Sequence, residues 1–331
     1  MNDSRNHAIE TLRAAAVVMV FMNHLHSMDI LTIPYFGISG GWLGVQIFFV
    51  ISGYLIIQSA ARYSAPEYIK HRALRIYPAY LFWFIAFSVI TGSLAIEKLD
   101  INSLLTHLLF LQHFSPSAFA KYSALPVSWT LTVEAAWYVL AFIIASYFYR
   151  SPTKSLFFSV AIACFWINAV IHLKIFPSIQ DPGQRYFFLQ NNAIAQMPFF
   201  LIGAWIAVKK PPQHDKAALL SVIISTIFLF KSWELSAVTP IFITGLGVAA
   251  LFLILRDIDY KNHWSIKWMS EISYSFYLIH YPTIILLSVY IGNKYILSII
   301  SFVATVILSF LSYFIIEKPF IRLARSVGDK K

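Results

Sequence analysis

Long apolar runs separated by short polar segments fill this chain from near its N-terminus to about residue 317. A helix that crosses a lipid bilayer needs about 20 mostly apolar residues. Runs of roughly that length are found at 9–27, 41–60, 76–93, 129–149, 155–174, 192–208, 217–233, 237–255, 272–291 and 296–316. The pattern predicts an all-α protein, a polytopic transmembrane helical bundle of about ten spans that forms a single domain over residues 1–331.

One further apolar segment, Ile101–Phe114 with the sequence INSLLTHLLFLQHF, is too short to cross a bilayer. We expect this segment to form an interfacial or re-entrant helix. Ten spans then place both ends of the chain on the same side of the membrane. An eleventh span would move the basic C-terminal tail, which starts at about residue 317, to the opposite side.

The distribution of lysine and arginine identifies that side. Most of the 25 Lys and Arg residues lie at the chain ends or in loops on the same side as the ends. The others are Lys98, Lys121, Lys174, Arg185, Lys231 and Lys294. Because cytoplasmic loops of membrane proteins carry an excess of Lys and Arg, both termini are predicted to be cytoplasmic.

Composition supports a membrane protein and excludes several functions. The chain is 59% hydrophobic and only 12% charged, with a mean hydropathy of +0.69, unlike an ordinary soluble domain. The net charge of +10 follows from the cytoplasmic bias of Lys and Arg, and no basic soluble element exists to bind nucleic acid. A single cysteine, Cys164, excludes an internal disulfide and argues against a thiolate metal cluster, so no metal is expected.

Two ionisable side chains interrupt the first apolar run. Arg13 and His24 are eleven residues apart, which on an α-helix is about three turns and about 16 Å, so both lie on one face. An ionisable group in the hydrocarbon region costs about 2.5 kcal/mol or more and generally marks a functional site. The alternative is that Arg13 extends to the headgroups and His24 lies at the outer interface.

A carboxylate is predicted at a membrane depth similar to that of His24. The span that begins near Thr130 enters from the outer side, which puts Glu134 about one turn deep. A carboxylate beside an imidazole sets its tautomer and basicity, as in a general base for a hydroxyl group. We therefore predict His24 and Glu134 as the catalytic pair. Alternatively, Glu134 pairs with an unrelated cation or faces the aqueous rim.

A basic cluster precedes the third span at the predicted cytoplasmic face. Its members, within EYIKHRALRIYPAY, are Lys70, His71, Arg72 and Arg75. Pro78 suits the first turn of the helix that follows. Guanidinium groups and free backbone donors at a helix start favour phosphate oxygens, so the cluster is a candidate site for an anionic ligand. Such clusters also bind anionic lipid headgroups, which is the alternative.

Two other spans carry candidate ligand contacts. Ser52 and Gly53, in FFVISGYL, would let two helix backbones approach closely, or else the Ser52 hydroxyl lines a tunnel. Tyr277 and His280, in ISYSFYLIHYP, lie three positions apart on one helix face. Either these two side chains contact a ligand, or they make hydrogen bonds within the protein, and the sequence favours neither alternative. Trp129, at the outer mouth, is a candidate for stacking on a sugar, although aromatic residues are ordinary at membrane interfaces.

Taken together, these motifs resemble the acyltransferase 3 family of integral-membrane O-acyltransferases over nearly the full length of the chain. Six segments carry the resemblance: Leu12-Arg13 with His24, FFVISGYL, RALRIYPAY, SWTLTVE, SYSFYLIH and Glu317-Lys318-Pro319. Each is weak alone, but six in this order on ten spans are highly specific.

The resemblance implies a multi-pass protein of the bacterial inner membrane that transfers an acyl group. The group is usually acetyl from cytoplasmic acetyl-CoA, and the acceptor is a hydroxyl of a surface polysaccharide, lipopolysaccharide or lipid-linked sugar. His24 and Arg13 match the essential histidine and arginine of the family, and Arg72 and Arg75 match its basic motif. Many relatives continue into a soluble hydrolase-like domain. We expect the membrane part of this chain, or a partner such as polysaccharide assembly machinery, to complete the transfer.

One mechanism joins the resemblance to the residues. In this hypothesis, we expect the donor phosphates to bind Arg72, Arg75 and Lys70, and the pantetheine arm to run outward past Arg13 to His24. The imidazole of His24, oriented by Glu134, then takes a proton from the sugar hydroxyl. An acyl-histidine intermediate is the competing route.

Other functions stay open at this point. A transporter or flippase of a lipid-linked sugar would also use ten helices with buried polar groups, but it should show two similar halves or matching interrupted helices, and neither is visible. A sensor or scaffold would not need His24 aligned with Arg13. The donor could also carry a succinyl or longer acyl group, because pocket shape decides acyl length and acceptor identity.

Overall fold

A computed structural model describes residues 7–34, 36–92, 100–115, 125–173, 191–211, 220–221, 224, 239–257 and 261–326. Within these ranges the regular structure is helical, and no β-strand occurs. The predicted all-α class is therefore confirmed for the described residues.

Helices in the described residues are numbered in chain order. They are α1 His7–Ser27, α2 Phe36–Arg62, α3 Ala65–Ile90, α4 Ile101–Leu108, α5 Trp129–Arg150, α6 Pro152–Leu173, α7 Ala193–Lys209, α8 Thr239–Asp257, α9 Trp264–Ser288, α10 Lys294–Ser312 and α11 Lys318–Ser326. Short 3-10 helices occur at Gln112–Phe114 and Pro126–Ser128, and a π-helical turn at Tyr313–Glu317 joins α10 to α11.

Several of these helices can cross a membrane. In the described part of the chain, six segments are long and apolar enough: His7–Ser27, Leu43–Arg62, Ala65–Ile90, Pro126–Arg150, Pro152–Val170 and Lys294–Ser326. Two shorter apolar helices, Ala193–Lys209 and Thr244–Arg256, coincide with further predicted spans. The predicted span 217–233 lies mostly outside the described residues. A multi-pass helical membrane protein is thus confirmed, whereas the number of ten spans and the cytoplasmic termini stay predictions.

The surface of α10 shows why this part of the chain belongs in lipid. Apart from Leu297, its buried positions are small and polar: Ser298, Ser301, Thr305, Ser309 and Ser312. Its exposed positions are large and apolar: Ile296, Ile299, Ile300, Val303, Ile307 and Leu311. In water this arrangement would be unfavourable, but in a bilayer the apolar face contacts acyl chains while the small residues allow close helix packing.

The short helix α4 is the segment predicted to be interfacial or re-entrant. Its eight residues rise about 12 Å, far less than the roughly 30 Å of the hydrocarbon core. The Asp100 side chain caps its first turn by accepting from the Asn102 amide at 3.2 Å. From α3, the hydroxyls of Tyr77 and Tyr80 donate to the carbonyls of Leu108 and His107, each at 3.0 Å. The tyrosines therefore hold the end of α4 against α3.

Contacts group the chain into two compact units. Unit 1 comprises Met1–Met19, Ser39–Arg62 and Val133–Ser270, and unit 2 comprises Val20–Ile38, Tyr63–Thr132 and Glu271–Lys331. The single domain expected from the sequence stays a prediction.

Glycine controls the packing of unit 1, where α2 and α7 meet backbone to backbone. A Cβ on Gly53 would lie 1.9 Å from the Phe200 carbonyl oxygen, and one on Gly203 would lie 1.9 Å from that of Val50. The ring of Phe200 also stacks on Phe49 and Trp137, with centroids 4.6 and 5.3 Å apart. The predicted close approach of helix backbones at Gly53 is confirmed.

The start of α1 is also anchored within unit 1. The Asn262 amide donates to the His7 carbonyl at 2.9 Å and to the Glu10 carboxylate at 3.0 Å. Its oxygen accepts from the Thr11 hydroxyl at 2.8 Å. These bonds satisfy polar groups in the first turn of α1 and hold it beside the residues that precede α9.

In unit 2, the tripeptide Glu317-Lys318-Pro319 begins with a buried carboxylate. Glu317 is 4% exposed and accepts a hydrogen bond from Ser275 of α9. The Ser275 hydroxyl also lies 2.6 Å from Ser312, which accepts from the Trp83 indole at 2.9 Å. This network joins α3, α9 and the end of α10, and α11 packs against α3.

Candidate functional site

Two histidines face each other in unit 2. Nδ1 of His24, in α1, lies 2.8 Å from Nε2 of His280, in α9, and the ring centroids are 4.9 Å apart. The edge of Tyr281 also contacts the His24 ring, at 4.9 Å between centroids. His280 is completely buried, whereas His24 keeps part of its surface exposed. The pair therefore joins a partly exposed residue of α1 to a fully buried one of α9.

The second nitrogen of His280 points at its own helix. Nδ1 lies 3.1 Å from the Phe276 carbonyl oxygen and 2.8 Å from that of Tyr277. The rings of Phe276 and Phe21 flank the imidazole, with centroids 6.1 and 6.4 Å away. These contacts match the internal hydrogen bonding that was one of the two interpretations of His280.

Tyr277 also makes internal hydrogen bonds. Its hydroxyl accepts from the Thr130 hydroxyl at 3.0 Å and donates to the Val127 carbonyl at 3.1 Å. Tyr277 is 7% exposed, and Trp129 beside this contact is 8% exposed. Both aromatic side chains are therefore buried in the described structure, and a contact of either with the sugar stays a prediction.

Glu134 lies in unit 1 with two hydroxyl partners. Its Oε1 accepts from the Ser52 hydroxyl of α2 at 2.6 Å and from the Tyr138 hydroxyl, one turn later in α5, at 2.7 Å. These are short, charge-assisted bonds, and the one from Ser52 links α2 to α5. Sequence reasoning missed Tyr138 as a partner, although its spacing of four residues on a helix would have indicated it. The catalytic role predicted for Glu134 beside His24 stays a prediction.

Arg13 and His24 lie on one uninterrupted helix, because α1 runs from His7 to Ser27 without a break. The helical spacing assumed from the sequence therefore holds, and about three turns separate the two side chains. Both are partly exposed. Among the described residues, no group of three or more His, Cys, Asp or Glu side chains could hold a metal ion.

The basic cluster lies within a helix, which corrects one expectation. Helix α3 begins at Ala65, not near Pro78, because Ser64 and Glu67 form a capping box and proline occupies the first turn. The Ser64 hydroxyl donates to the Glu67 carboxylate at 2.7 Å, and the Ser64 amide does so at 3.2 Å. Free backbone donors therefore lie before the cluster, and the cluster itself offers side chains only. Pro78 lies inside the helix.

The side chains of the cluster are arranged by aromatic neighbours. The His71 ring stacks on Tyr63 at 4.6 Å between centroids, and the Arg72 guanidinium lies 5.7 Å from the centre of the Tyr68 ring. Lys70 is partly exposed and Arg75 is exposed. These aromatic neighbours orient the two planar groups.

An additional cation joins this cluster from the C-terminal helix. Since α11 packs against α3, Arg325 comes close enough for its charge to act on the His71 imidazole. Sequence reasoning treated the basic tail only as a sign of topology. The signal available was the predicted position of both segments on the same membrane face.

Comparison with known proteins identifies the family. The acyltransferase 3 family model, described as an acyltransferase domain, matches residues 6–317. The chain belongs to this acyltransferase family. The family predicted from the six motifs is therefore confirmed.

The similar curated proteins include named O-acetyltransferases. "O-acetyltransferase OatA" of Staphylococcus aureus is 26% identical, over 94% of this chain and 56% of the relative. "Peptidoglycan O-acetyltransferase OatA" of Listeria monocytogenes is 25% identical, over 98% of this chain and 58% of the relative. "Putative peptidoglycan O-acetyltransferase YrhL" of Bacillus subtilis is 23% identical, over 94% and 54%. The chain thus spans about half the length of the curated relatives it matches, and no solved structure matches it.

Proposed function

We propose that this membrane protein transfers an acetyl group from cytoplasmic acetyl-CoA to a carbohydrate hydroxyl at the outer face of the bacterial inner membrane. The observation that carries the proposal is the hydrogen bond between Nδ1 of His24, a partly exposed residue, and Nε2 of the buried His280. An imidazole held in this way has one nitrogen free for proton transfer, which acyl transfer to a hydroxyl requires.

The acceptor is proposed from the relatives. Two of them are named as acting on peptidoglycan, so a peptidoglycan sugar is the first acceptor to test. A surface polysaccharide, a lipopolysaccharide and a lipid-linked oligosaccharide offer the same chemical group, a sugar hydroxyl. Acceptor binding is assigned to the aromatic residues near the outer end of α5, among them Trp129, together with Tyr277.

Donor binding is assigned to the basic cluster on α3. Lys70, Arg72 and Arg75 would bind the phosphates of the donor, because guanidinium forks match phosphate oxygens and an ammonium adds charge. Arg13, about three turns before His24 on α1, lies on the route of the extended pantetheine arm. Ser52 is proposed to contact the donor as well, with its hydroxyl oriented by Glu134.

In the proposed reaction, Nε2 of His24 accepts the proton of the sugar hydroxyl as the oxygen attacks the thioester carbonyl. A carbon–oxygen bond forms and the carbon–sulfur bond breaks. The departing thiolate takes this proton from His24, which returns the imidazole to its neutral state. If His24 attacked the thioester first, an acyl-histidine would form, and that route is the competing one.

Mass spectrometry of surface glycans tests this function. Cells that lack the protein are supplied with the wild type, His24→Ala or His26→Ala, at membrane levels matched by immunoblot. His26 is the control, because it lies on the same helix and contacts Thr32 rather than the buried histidine. We expect acetylated sugars with the wild type and the control, and at least 100-fold less with His24→Ala, the range typical of general-base catalysis.

Equal acetylation by the wild type and His24→Ala would contradict the role of His24. The flippase would be favoured by a different result. In that case, cells with and without the wild-type protein would show equal acetylation but would differ in the export of a lipid-linked sugar.

A further inference from the structure

The donors and acceptors around His280 determine where its protons lie. Nδ1 contacts two backbone carbonyl oxygens, of Phe276 and Tyr277, at 3.1 and 2.8 Å. A carbonyl can only accept, so Nδ1 must carry a proton and donate it. A neutral imidazole has a single N–H, and Nε2 of His280 is then an acceptor.

A doubly protonated His280 would be the other solution, and its surroundings oppose it. The ring is completely buried, and aromatic rings of Phe21, Phe276 and Tyr277 lie against it. Burying a charge without a counter-charge costs far more than burying a neutral imidazole whose hydrogen bonds are satisfied. His280 is therefore neutral, with its proton on Nδ1.

The contact with His280 also determines which nitrogen of His24 carries the proton. Nε2 of His280 accepts, so Nδ1 of His24, 2.8 Å away, must donate. Nδ1 of His24 therefore carries the proton. Nε2 of His24 is left without a proton.

We propose that His280 is a positioning residue, which holds His24 in the tautomer whose Nε2 presents a lone pair to the acceptor hydroxyl. The proposal rests on the proposed function of His24 as the general base. It assigns to a second histidine the orienting task that enzymes often give to a carboxylate.

The backbone anchor distinguishes this pair from a histidine–carboxylate pair. The carbonyls of Phe276 and Tyr277 belong to α9 itself, so they cannot be protonated and they need no counter-ion in the membrane. When His24 accepts a proton at Nε2, its Nδ1–H stays bonded to the neutral Nε2 of His280. The proton then leaves from Nε2 to the thiolate, and His280 neither gains nor loses one.

Nitrogen-15 NMR of the full-length protein in lipid nanodiscs reads the tautomer directly. All histidines are labelled, and the signals of His24 and His280 are assigned with His24→Gln and His280→Gln. We expect His24 to show a protonated Nδ1 and an unprotonated Nε2 at neutral pH. In His280→Leu, both tautomers of His24 should appear. A wild-type His24 with its proton on Nε2 would overturn the proposal.

Kinetics of the same variants test the functional consequence. A glutamine at 280 can place its side-chain oxygen near the former Nε2 and accept from His24, whereas leucine cannot. We expect His280→Leu to lower kcat about 10- to 100-fold with an unchanged KM for acetyl-CoA, and His280→Gln to recover most of the loss. Thr283→Val is the matched control, because Thr283 is also buried in α9 and bonds to a carbonyl one turn earlier, that of Ile279.

A His280→Leu protein with the kcat of the wild type would overturn the positioning role. Equal losses in the leucine and glutamine variants and in the control would do so as well, since they would indicate a packing defect. Failure of the wild type to transfer acetyl groups would overturn the proposed function instead. The NMR spectra would still decide whether His280 sets the tautomer of His24, because they do not depend on turnover.

Discussion

Hydrogen bonds to a few charged or ionisable groups define the chemistry of this protein at the scale of single residues. Glu134 is a clear case, because one carboxylate oxygen accepts from both Ser52 and Tyr138, at 2.6 and 2.7 Å. The carboxylate is therefore structural for α2 and α5, whatever its part in catalysis.

Two substitutions of Glu134 distinguish the effect of its hydrogen bonds on stability from the effect of its negative charge. We expect Glu134→Ala to lower the free energy of unfolding by about 1 to 2 kcal/mol, because the hydrogen bonds from Ser52 and Tyr138 to the carboxylate are lost. Glu134→Gln should cost less, since the amide oxygen can still accept. Thermal unfolding in detergent measures both. A glutamine variant as unstable as the alanine variant would show that the negative charge, rather than the hydrogen-bond geometry, holds Ser52 and Tyr138.

At the scale of helices, the contact between α2 and α7 leaves the least room for a larger side chain among the glycine contacts of the described residues. The backbones approach so closely that a methyl group on Gly53 would meet the Phe200 carbonyl at 1.9 Å. Gly37, also in α2, has its nearest neighbour at 3.6 Å, the Cβ of His26, which is ordinary contact. Two glycines in one helix therefore carry different constraints.

Alanine at these two positions provides a matched comparison. Gly53→Ala should destabilise the protein by about 1 to 3 kcal/mol, the usual cost of overpacking, because α2 and α7 must separate. Gly37→Ala should be neutral or slightly stabilising, since alanine favours a helix by up to about 1 kcal/mol over glycine. Thermal unfolding of both variants in the same detergent checks the difference. Equal melting temperatures would argue against the backbone contact.

The basic cluster also belongs to the scale of elements, because it combines residues of α3 and α11. Removing Arg72 and Arg75 together should weaken acetyl-CoA binding about 100-fold or more, as each charged hydrogen bond contributes roughly 1.5 to 3 kcal/mol. Arg325→Ala should weaken it less, since that residue reaches the cluster from the neighbouring helix. Isothermal titration with acetyl-CoA measures the affinities.

Lys154→Ala is the control for that titration, because Lys154 is an exposed cation in the first turn of α6, in the other unit. Unchanged affinity in the Arg72 and Arg75 double variant would exclude the cluster as the donor site. If the same double variant lost binding to vesicles with anionic lipids instead, the cluster would be a headgroup anchor.

For the whole molecule, the orientation in the membrane decides which substrate each site can meet. The excess of Lys and Arg predicts that the start of α3 faces the cytoplasm, where acetyl-CoA is available. The loop before α10 is predicted to face outward. The proposed reaction depends on this sidedness, since donor and acceptor would approach from opposite faces.

Cysteine labelling tests the orientation. Cys164→Ser removes the native thiol, and single cysteines then replace Lys70 or Lys294. In intact spheroplasts, a membrane-impermeant maleimide should label position 294 and leave position 70 unlabelled until the membrane is permeabilised. Labelling of position 70 from outside would reverse the topology and remove the basis for a cytoplasmic donor at this cluster.

Sequence reasoning predicted the features that depend on local chemistry. Apolar runs of bilayer length indicated the helices, because a backbone in lipid must satisfy its own hydrogen bonds. The small residues at Ser52 and Gly53 indicated close packing, and the order of six motifs indicated the family. Arg13 and His24 were identified because ionisable groups are costly in hydrocarbon. The start of α3 was misplaced, since the capping box at Ser64 and Glu67 was outweighed by Pro78 as a helix-start signal.

Hydrogen-bond partners far apart in sequence were decided by tertiary structure alone. His24 and His280 are separated by 256 positions, and no periodicity links residues on different helices. The sequence by itself determined that each imidazole, in an apolar span, needs a polar partner. It left open whether that partner was a carboxylate, a carbonyl or water. The packing of α1 against α9 determined which partner it was, because only the folded chain brings two side chains within 3 Å while it excludes the alternatives.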